Sequence, residues 1–235
     1  MPPDSRADGP PTRLDRSIVV AAALRSIDAS SAQDLSMRKL GHELGVEAMS
    51  LYRYVTGRED LLEAVVALLL TGLPDRLDPK VTTSWQGYLQ ALAHETRKIA
   101  LDHPNAFPLV ATRHPAAPWL RPPLRSLEVV EDFVARLSGY GFTDEQIAAT
   151  YRSFSSFLLG NLLLEAAVRG AETSPVEQPV DEGKADIPNR DGQASLADNP
   201  HTQRVRPLLS EDRSDEEFEA SLEGLLDRLE LGLAQ

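Results

Sequence analysis

Apolar side chains recur along this chain at steps of three and four residues, and no stretch sustains the strict alternation of a half-buried strand. Val19, Ala23 and Ile27, with Val20 and Leu24 beside them, begin the pattern. Leu61, Val65 and Leu69 continue it, then Trp85, Leu89, Leu92, Thr96 and Ile99. Only a helix gathers such spacings onto one face, so the chain reads as all-α, with about nine or ten helices. Local signals place the breaks. Ser36 is the expected N-cap of a short helix over Met37–Leu44 that ends at Gly45. A third helix is expected over about Glu47–Val55, stopping near Gly57, and a fourth from about Arg58, with Pro74 ending the run. Asp102-His103-Pro104 closes the Trp85 helix, and the Pro-rich Asn105–Pro123 has room for one short helix. Pro122 and Pro123 suit the first turn of the next helix, whose expected face is Leu127, Val130, Val134 and Leu137, closed by Gly139 and Gly141. Thr143 and Gln146 form a capping box for a helix reaching Val168. Ser214 with Glu217 repeats that signature ahead of Phe218, Leu222, Leu225, Leu229 and Leu233.

Composition removes several function classes. There is no cysteine, which excludes disulfides, thiolate metal sites and a cysteine nucleophile. The longest apolar stretch, Leu61–Leu73, is interrupted by Glu63 and falls short of the roughly 20 residues of a membrane span. The start, MPPDSRADGPP, lacks an apolar signal core, so a cytoplasmic protein with no membrane partner is expected. A net charge of −12 at first argues against nucleic acid, whose affinity comes largely from Lys and Arg. By region, however, residues 171–235 carry −10 and residues 1–60 only −1. Screening acts over about 8 Å, so the acidic end does not decide what the amino-terminal region binds.

The informative stretch is Leu35–Val65, LSMRKLGHELGVEAMSLYRYVTGREDLLEAV. Two short helices joined at Gly45 have helix-turn-helix proportions, the first bracing the backbone and the second entering the major groove. Leu40, Leu44, Val46 and Leu51 form the expected packing side, leaving Arg38, Ala48, Met49, Ser50, Tyr52, Arg53, Tyr54 and Arg58 to face outward. That mixture suits DNA: Arg reads guanine bidentately, Met and Ala touch thymine methyls, and Ser and Tyr hydroxyls bond phosphates. An ordinary helical hairpin with solvated faces has the same lengths. Against it stand the Tyr and Arg residues crowded onto one short element, since Tyr52 and Tyr54, two positions apart, cannot both point inward on a helix.

The run Leu40-Gly41-x-x-Leu44-Gly45-Val46, then Leu51-Tyr52-x-Tyr54-Val55-x-Gly57-Arg58-x-x-Leu61-Leu62, resembles the TetR family of bacterial one-component repressors. Ser84-Trp85-Gln86, Gly141-Phe142 and the polar segment before the last helix resemble its tetracycline-repressor branch. Residues 1–12, with four prolines and no periodicity, read as a disordered tail, and the resemblance implies an N-terminal three-helix helix-turn-helix DNA-binding domain over 13–60. A larger helical ligand-binding and dimerisation domain follows over 61–235, with a mobile loop at about 171–203. It further implies a homodimer on double-stranded, palindromic operator DNA, released by a small-molecule effector, with no cofactor and no catalytic activity. By position, Arg38 matches a base contact, while Ser50, Tyr52, Tyr54 and Arg58 match mostly backbone contacts. Ala48 and Met49 depart from the tetracycline repressor's Gln and Pro, which implies a different operator. The ligand side departs further. That repressor holds a drug–magnesium chelate through a His shortly before a Thr-Arg pair, and here Thr112-Arg113 is preceded by Leu109 and Val110. Leu92 and Thr96 stand where its drug-gripping Asn and Phe lie, so a mainly apolar effector is expected, without a metal.

The remaining polar signals are weaker. The five His, at 42, 94, 103, 114 and 201, lack metal-ligand spacing and are expected to be surface or packing residues. His103, Arg113 and His114 flank the Pro-rich segment and are candidates for a pocket mouth. Glu165, among apolar neighbours, is either solvated on an outer face or a buried handle for a ligand. Two other readings compete with a repressor: an all-α protein that sequesters an apolar small molecule without touching DNA, and an all-α enzyme. No nucleophile elbow, and no paired carboxylates near a pocket candidate, support the enzyme.

Overall fold

The fold comes from a computed structural model, which describes residues 14–112, 114, 116–171, 200–209 and 211–233. The expected tail, most of the expected loop and Arg113 lie outside them. Every regular element among the described residues is helical. Tertiary contacts divide the chain into two compact units, Met1–Ser174 and Pro175–Gln235.

In the first unit the chain runs α1 (Arg16–Ala29), α2 (Met37–Glu43), α3 (Ala48–Leu51), α4 (Arg58–Leu70), α5 (Leu73–Arg76), α6 (Trp85–Asp102), a 3-10 turn η1 (Phe107–Ala111), α7 (Leu127–Gly139) and α8 (Asp144–Val168). Short polar side chains start most of them. Asp15, Ser36, Ser84 and Ser126 each accept from the backbone N–H three residues on. Thr143 and Gln146 complete the expected capping box, with the Thr143 amide 2.9 Å from Oε1 of Gln146. At the end of α7, Phe142 donates to the Leu137 carbonyl and Gly141, at φ +90°, to that of Ser138. This Schellman arrangement reverses the chain into α8.

Burial assembles these pieces. Val19, Ala23 and Ile27 of α1 are buried, as the stripe predicts, and α1 packs on α4, whose Leu61 and Val65 are buried as well. Around α6, α7 and α8 the core is aromatic: the Phe133 ring lies 5.7 Å from Tyr151, 5.9 Å from Phe154 and 6.2 Å from Tyr88. The Tyr88 hydroxyl donates to Asp132 at 2.9 Å, and burial beside that carboxylate pushes its pKa well above the ordinary phenol range. Trp85 and Phe142 meet edge-to-face at 5.7 Å, which joins the start of α6 to the turn between α7 and α8.

Several boundaries differ from the sequence reading, each for a physical reason. Pro74 does not stop α4. Gly72, in the left-handed region at φ +67°, does so, and Pro74 then sits in the first turn of α5. Pro122 and Pro123 lie ahead of α7, because Ser126 takes the capping role. The α7 face is rotated: Val129, Phe133 and Leu137 are buried, whereas Leu127 and Val134 are exposed, because the rings of α8 select Phe133. In the second unit, α9 spans Pro200–Leu209 and α10 spans Ser214–Leu233, with Phe218, Leu222 and Leu226 as its buried positions. Ser214 is the first helical residue of α10 and not its cap; its amide donates to Asp212 at 3.2 Å.

Candidate DNA-binding surface and effector cavity

The α2–α3 corner is held by backbone geometry. Val46 donates to the Gly41 carbonyl at 2.9 Å and Gly45, at φ +66°, to that of His42 at 3.2 Å. Gly41 is needed for closeness: a Cβ there would stand 2.8 Å from the Val46 carbonyl oxygen and 3.1 Å from the Ala48 nitrogen. Leu40, Leu51 and Val55 anchor the corner in the core, with Leu44 and Val46 half-buried. What remains outside is Arg38, Lys39, Met49, Tyr52 and Arg53, all exposed, with Met49 at 76%; Ala48, Ser50 and Tyr54 are half-exposed beside them. The members of the expected outward set are thus exposed or half-exposed, and Arg58 alone turns back onto the chain.

The third helix is one turn long, shorter than the expected Glu47–Val55. Beyond Leu51 the chain continues as turns, and the Tyr54 carbonyl accepts from Nη1 of Arg16 at 2.6 Å. That guanidinium also meets Asp60 at 2.7 and 3.2 Å, and Asp60 accepts from the Thr56 amide at 2.8 Å. Arg16 first, then the Thr56 amide, hold the Asp60 carboxyl down to a pKa of about 2. This network from α1 and α4 fixes the chain after α3 at the expense of further helical bonds. Arg58 is turned onto the chain: its Nη2 donates to the Ala32 carbonyl at 2.6 Å and its Nε to that of Leu35 at 3.3 Å.

Above this surface α4 to α8 enclose an apolar cavity of about 40 Å³. Leu92 and Thr96 line it, together with Leu70, Phe133, Tyr151 and Ser155. The Thr96 hydroxyl is already engaged by the Leu92 carbonyl at 2.7 Å, and burial pushes the Tyr151 hydroxyl up to about 12. The other candidates lie elsewhere. Nδ1 of His103 bonds Oδ2 of Asp28 at 2.8 Å, tying the end of α6 to α1. Nδ1 of His114 accepts from the Ala116 amide at 3.0 Å, outside the cavity wall. Glu165 is neither solvated nor in that wall. It forms a bidentate pair with Arg97 at 2.8 and 3.0 Å, both side chains nearly buried.

Sequence reasoning missed Arg97 and the aromatic lining. The signal for Arg97 is that Ala93 and Ala100, four before and three after it on α6, leave room for a buried long side chain. Among the described residues no His, Asp or Glu cluster is placed to hold a metal, and no helix is long and apolar enough to cross a membrane.

A helix-turn-helix together with a separate apolar cavity, in a chain whose described elements are all helical, is the arrangement expected of a DNA-binding regulator with a small-molecule domain. Comparison with known proteins makes the class specific. The family model described as "Tetracyclin repressor-like, C-terminal domain" matches residues 78–232, and the chain belongs to the TetR family of transcriptional regulators. An HTH-type transcriptional regulator of Saccharopolyspora erythraea is 30% identical over 66% of this chain and 63% of its own length. The HTH-type transcriptional repressor DrrR1 of Streptomyces coeruleorubidus is 28% identical over 98% of this chain and 82% of its own. The class E tetracycline repressor protein of Escherichia coli is 30% identical over 70% and 74%. A solved structure of a possible TetR family transcriptional regulator from Streptomyces coelicolor A3(2) superposes with a TM-score of 0.70 at 27% identity, covering 92% of this chain and 99% of that one. These relatives are regulators and not enzymes, and the family as a whole carries out ligand-responsive transcriptional repression.

Proposed function

We propose that this protein is a homodimeric repressor that binds a palindromic operator and is released by a small, mainly apolar effector. The observation that carries the reading is the joint outward projection of Arg38, Lys39, Met49, Tyr52 and Arg53 from a corner whose backbone is fixed by Gly41 and Gly45. Arg38 is the base-reading candidate, Ala48 and Met49 the thymine-methyl contacts, and Ser50, Tyr52 and Tyr54 the backbone contacts. Their departure from Gln and Pro at 48 and 49 supports an operator unlike that of tetracycline repressors.

Dimerisation follows from the size of the reading head, since one short helix pair buries little surface on DNA, whereas a two-fold pair spans half-sites about 34 Å apart. The matching surface is the outer stripe of α8, where Leu164 and Val168 are 72% and 87% exposed. For the effector, the cavity lining from Leu70 to Leu159 supports an apolar molecule, and Leu109 and Val110, standing where a His would precede Thr112, argue against a metal chelate. The test is fluorescence anisotropy with duplexes from the DNA flanking its own gene. A specific, salt-sensitive complex at nanomolar protein that Arg38→Ala weakens by about tenfold or more supports the reading. Binding indifferent to sequence would sink it.

A further inference from the structure

We propose that Arg58 is a positioning residue for the α2–α3 reading head, the last link of a polar relay from the cavity wall, and not a phosphate contact. The inference rests on the operator-binding reading above. It begins at the cavity, which Val110 and Leu124 line. Arg125 follows Leu124, and its amide donates to the Val110 carbonyl at 3.1 Å. Its side chain, 10% exposed, reaches across to α4, with Nη2 at 2.7 Å from Oε1 of Glu63 and 3.9 Å from Oε2 of Glu59. Glu59 in turn lies 3.7 Å from Nη1 of Arg58. Nε and Nη2 of Arg58 then hold the carbonyls of Leu35 and Ala32.

Those two carbonyls belong to the turn that delivers Ser36, whose hydroxyl accepts from the Lys39 amide at 3.2 Å and sets where α2 begins. Arg38 stands in that first turn. Nε and Nη2 of Arg58 are thus engaged by carbonyls of the chain itself, and Nη1 stands 3.7 Å from the exposed Glu59 carboxylate. A planar fork suits this role, because it satisfies two carbonyls three residues apart, which the single ammonium of a lysine cannot do as well. The turn 32–35 is buried at both ends, at Ala32 and Leu35, so its carbonyls have few alternative partners. Glu59 and Glu63, one turn apart on α4, with Arg58 next to Glu59, thus join the segment beside the cavity to the cap of the helix that carries Arg38, the outer step running through the exposed Glu59.

Positioning and phosphate contact have different signatures. Loss of one phosphate contact lowers the slope of log affinity against log salt by about 0.9, whereas loss of positioning lowers affinity at unchanged slope. The experiment compares the full-length protein with Arg58→Ala, Arg58→Lys and Arg125→Ala. Binding to the flanking-DNA duplex is measured across a salt series, and hydrogen exchange is followed at the Lys39 and Leu40 amides. The expected result for Arg58→Ala is about a tenfold loss of affinity, an unchanged salt slope and faster exchange at both amides, partly restored in Arg58→Lys. Arg125→Ala is expected to speed the same amides without touching DNA. A slope lower by about 0.9 with exchange unchanged makes Arg58 a phosphate contact and overturns the inference. Unchanged exchange in Arg125→Ala overturns the relay. If the wild-type protein binds no specific duplex, the repressor reading fails, while the exchange measurements still decide whether Arg58 positions α2.

Discussion

Gly41 and Gly45 lie four residues apart in the same corner, yet replacing each with alanine tests different physics. At Gly41 an added Cβ would meet the Val46 oxygen at 2.8 Å, the Ala48 nitrogen at 3.1 Å and the Ala48 Cα at 3.2 Å. All three are backbone atoms, so relief requires α3 to move from α2 by several tenths of an ångström. Overpacking of this kind costs about 1–3 kcal/mol, offset by up to about 1 kcal/mol because alanine is the better helix former. The expected net loss for Gly41→Ala is about 1–2 kcal/mol. At Gly45 a Cβ meets nothing within 4 Å, but φ is +66°, and the left-handed conformation costs an alanine about 1–2 kcal/mol. The two variants therefore lose similar stability by urea denaturation and differ in geometry. Only Gly41→Ala displaces Met49 and Tyr52 relative to Arg38, so only it loses operator affinity, by on the order of tenfold in anisotropy titrations run well below the unfolding midpoint. Equal operator affinity for Gly41→Ala and the wild type would refute the claim that this close approach sets the reading geometry.

Three further outcomes follow from named contacts. Arg97→Met removes the bidentate partner of the nearly buried Glu165 and leaves Arg169, 3.6 Å away and half-exposed, as its cationic neighbour. The expected loss is about 2–4 kcal/mol by thermal or urea unfolding, and the double variant with Glu165→Leu recovers most of it, since the apolar pair strands no charge. Asp60, with its folded pKa lowered from 3.8 to about 2, contributes stability that is present above about pH 4 and lost as pH falls towards 2. Arg16 is half-exposed, so the contribution is about 1 kcal/mol or less, read as a wild-type minus Asp60→Asn difference that closes across that window. Leu164→Lys with Val168→Lys places charge on the outer stripe of α8; sedimentation should show a dimer become a monomer at unchanged helicity, and a persistent dimer would exclude that face as the interface.

How much of this could be read from the sequence depended on whether the deciding contact was local. Ser36, Gly45 and the Thr143–Gln146 box are bounded by partners within five residues, and the helices begin or end at or next to them as expected. The exposed set from Arg38 to Tyr52 was equally plain, because the apolar Leu40 and Leu51 leave little choice of face. The failures involve distant partners. The shortness of α3 is set by Arg16, 38 positions before the Tyr54 carbonyl it binds, and the burial of Glu165 by Arg97, 68 positions away. On α7 two stripes share Leu137, and only the rings of Tyr151 and Phe154 make Phe133 the buried one. Arg58 combines both situations: its charge looks outward in the sequence, and the carbonyls that claim it, at 32 and 35, are unreadable without the fold.

If the effector proposed above sits in the apolar cavity, the dimensions of that cavity constrain how it acts. The apolar cavity is about 40 Å³, whereas sites for drug-sized molecules run to roughly 300–1,000 Å³. Rotamer changes cannot supply the difference in a close-packed core, so at least one wall has to move as a body. The walls are unequal. The α6–α8 wall is pinned by the Arg97–Glu165 pair, and α7 is locked into the aromatic cluster by Phe133. Leu70 and Leu73, by contrast, lie on either side of Gly72, where α4 breaks from α5. Across that break the end of α4 is tied to α5 by Arg76, whose Nη2 donates to the Thr71 carbonyl at 2.8 Å. Among the described residues no buried ion pair or ring cluster stands beside it, so it is the wall expected to move. A 13-residue helix is a rod about 20 Å long, and at its other end stand Arg58 and Asp60, which hold the reading head. Enlarging the cavity at Leu70 thus costs the geometry at Arg38, and a ligand shifts operator affinity only by its preference for the enlarged state over the closed one. A tenfold preference is worth about 1.4 kcal/mol at the operator, however tightly the ligand binds both states. Potency as an inducer should accordingly rise with ligand volume beyond what the closed cavity admits, and small apolar molecules that fit without displacing α4 should bind and leave the operator complex intact.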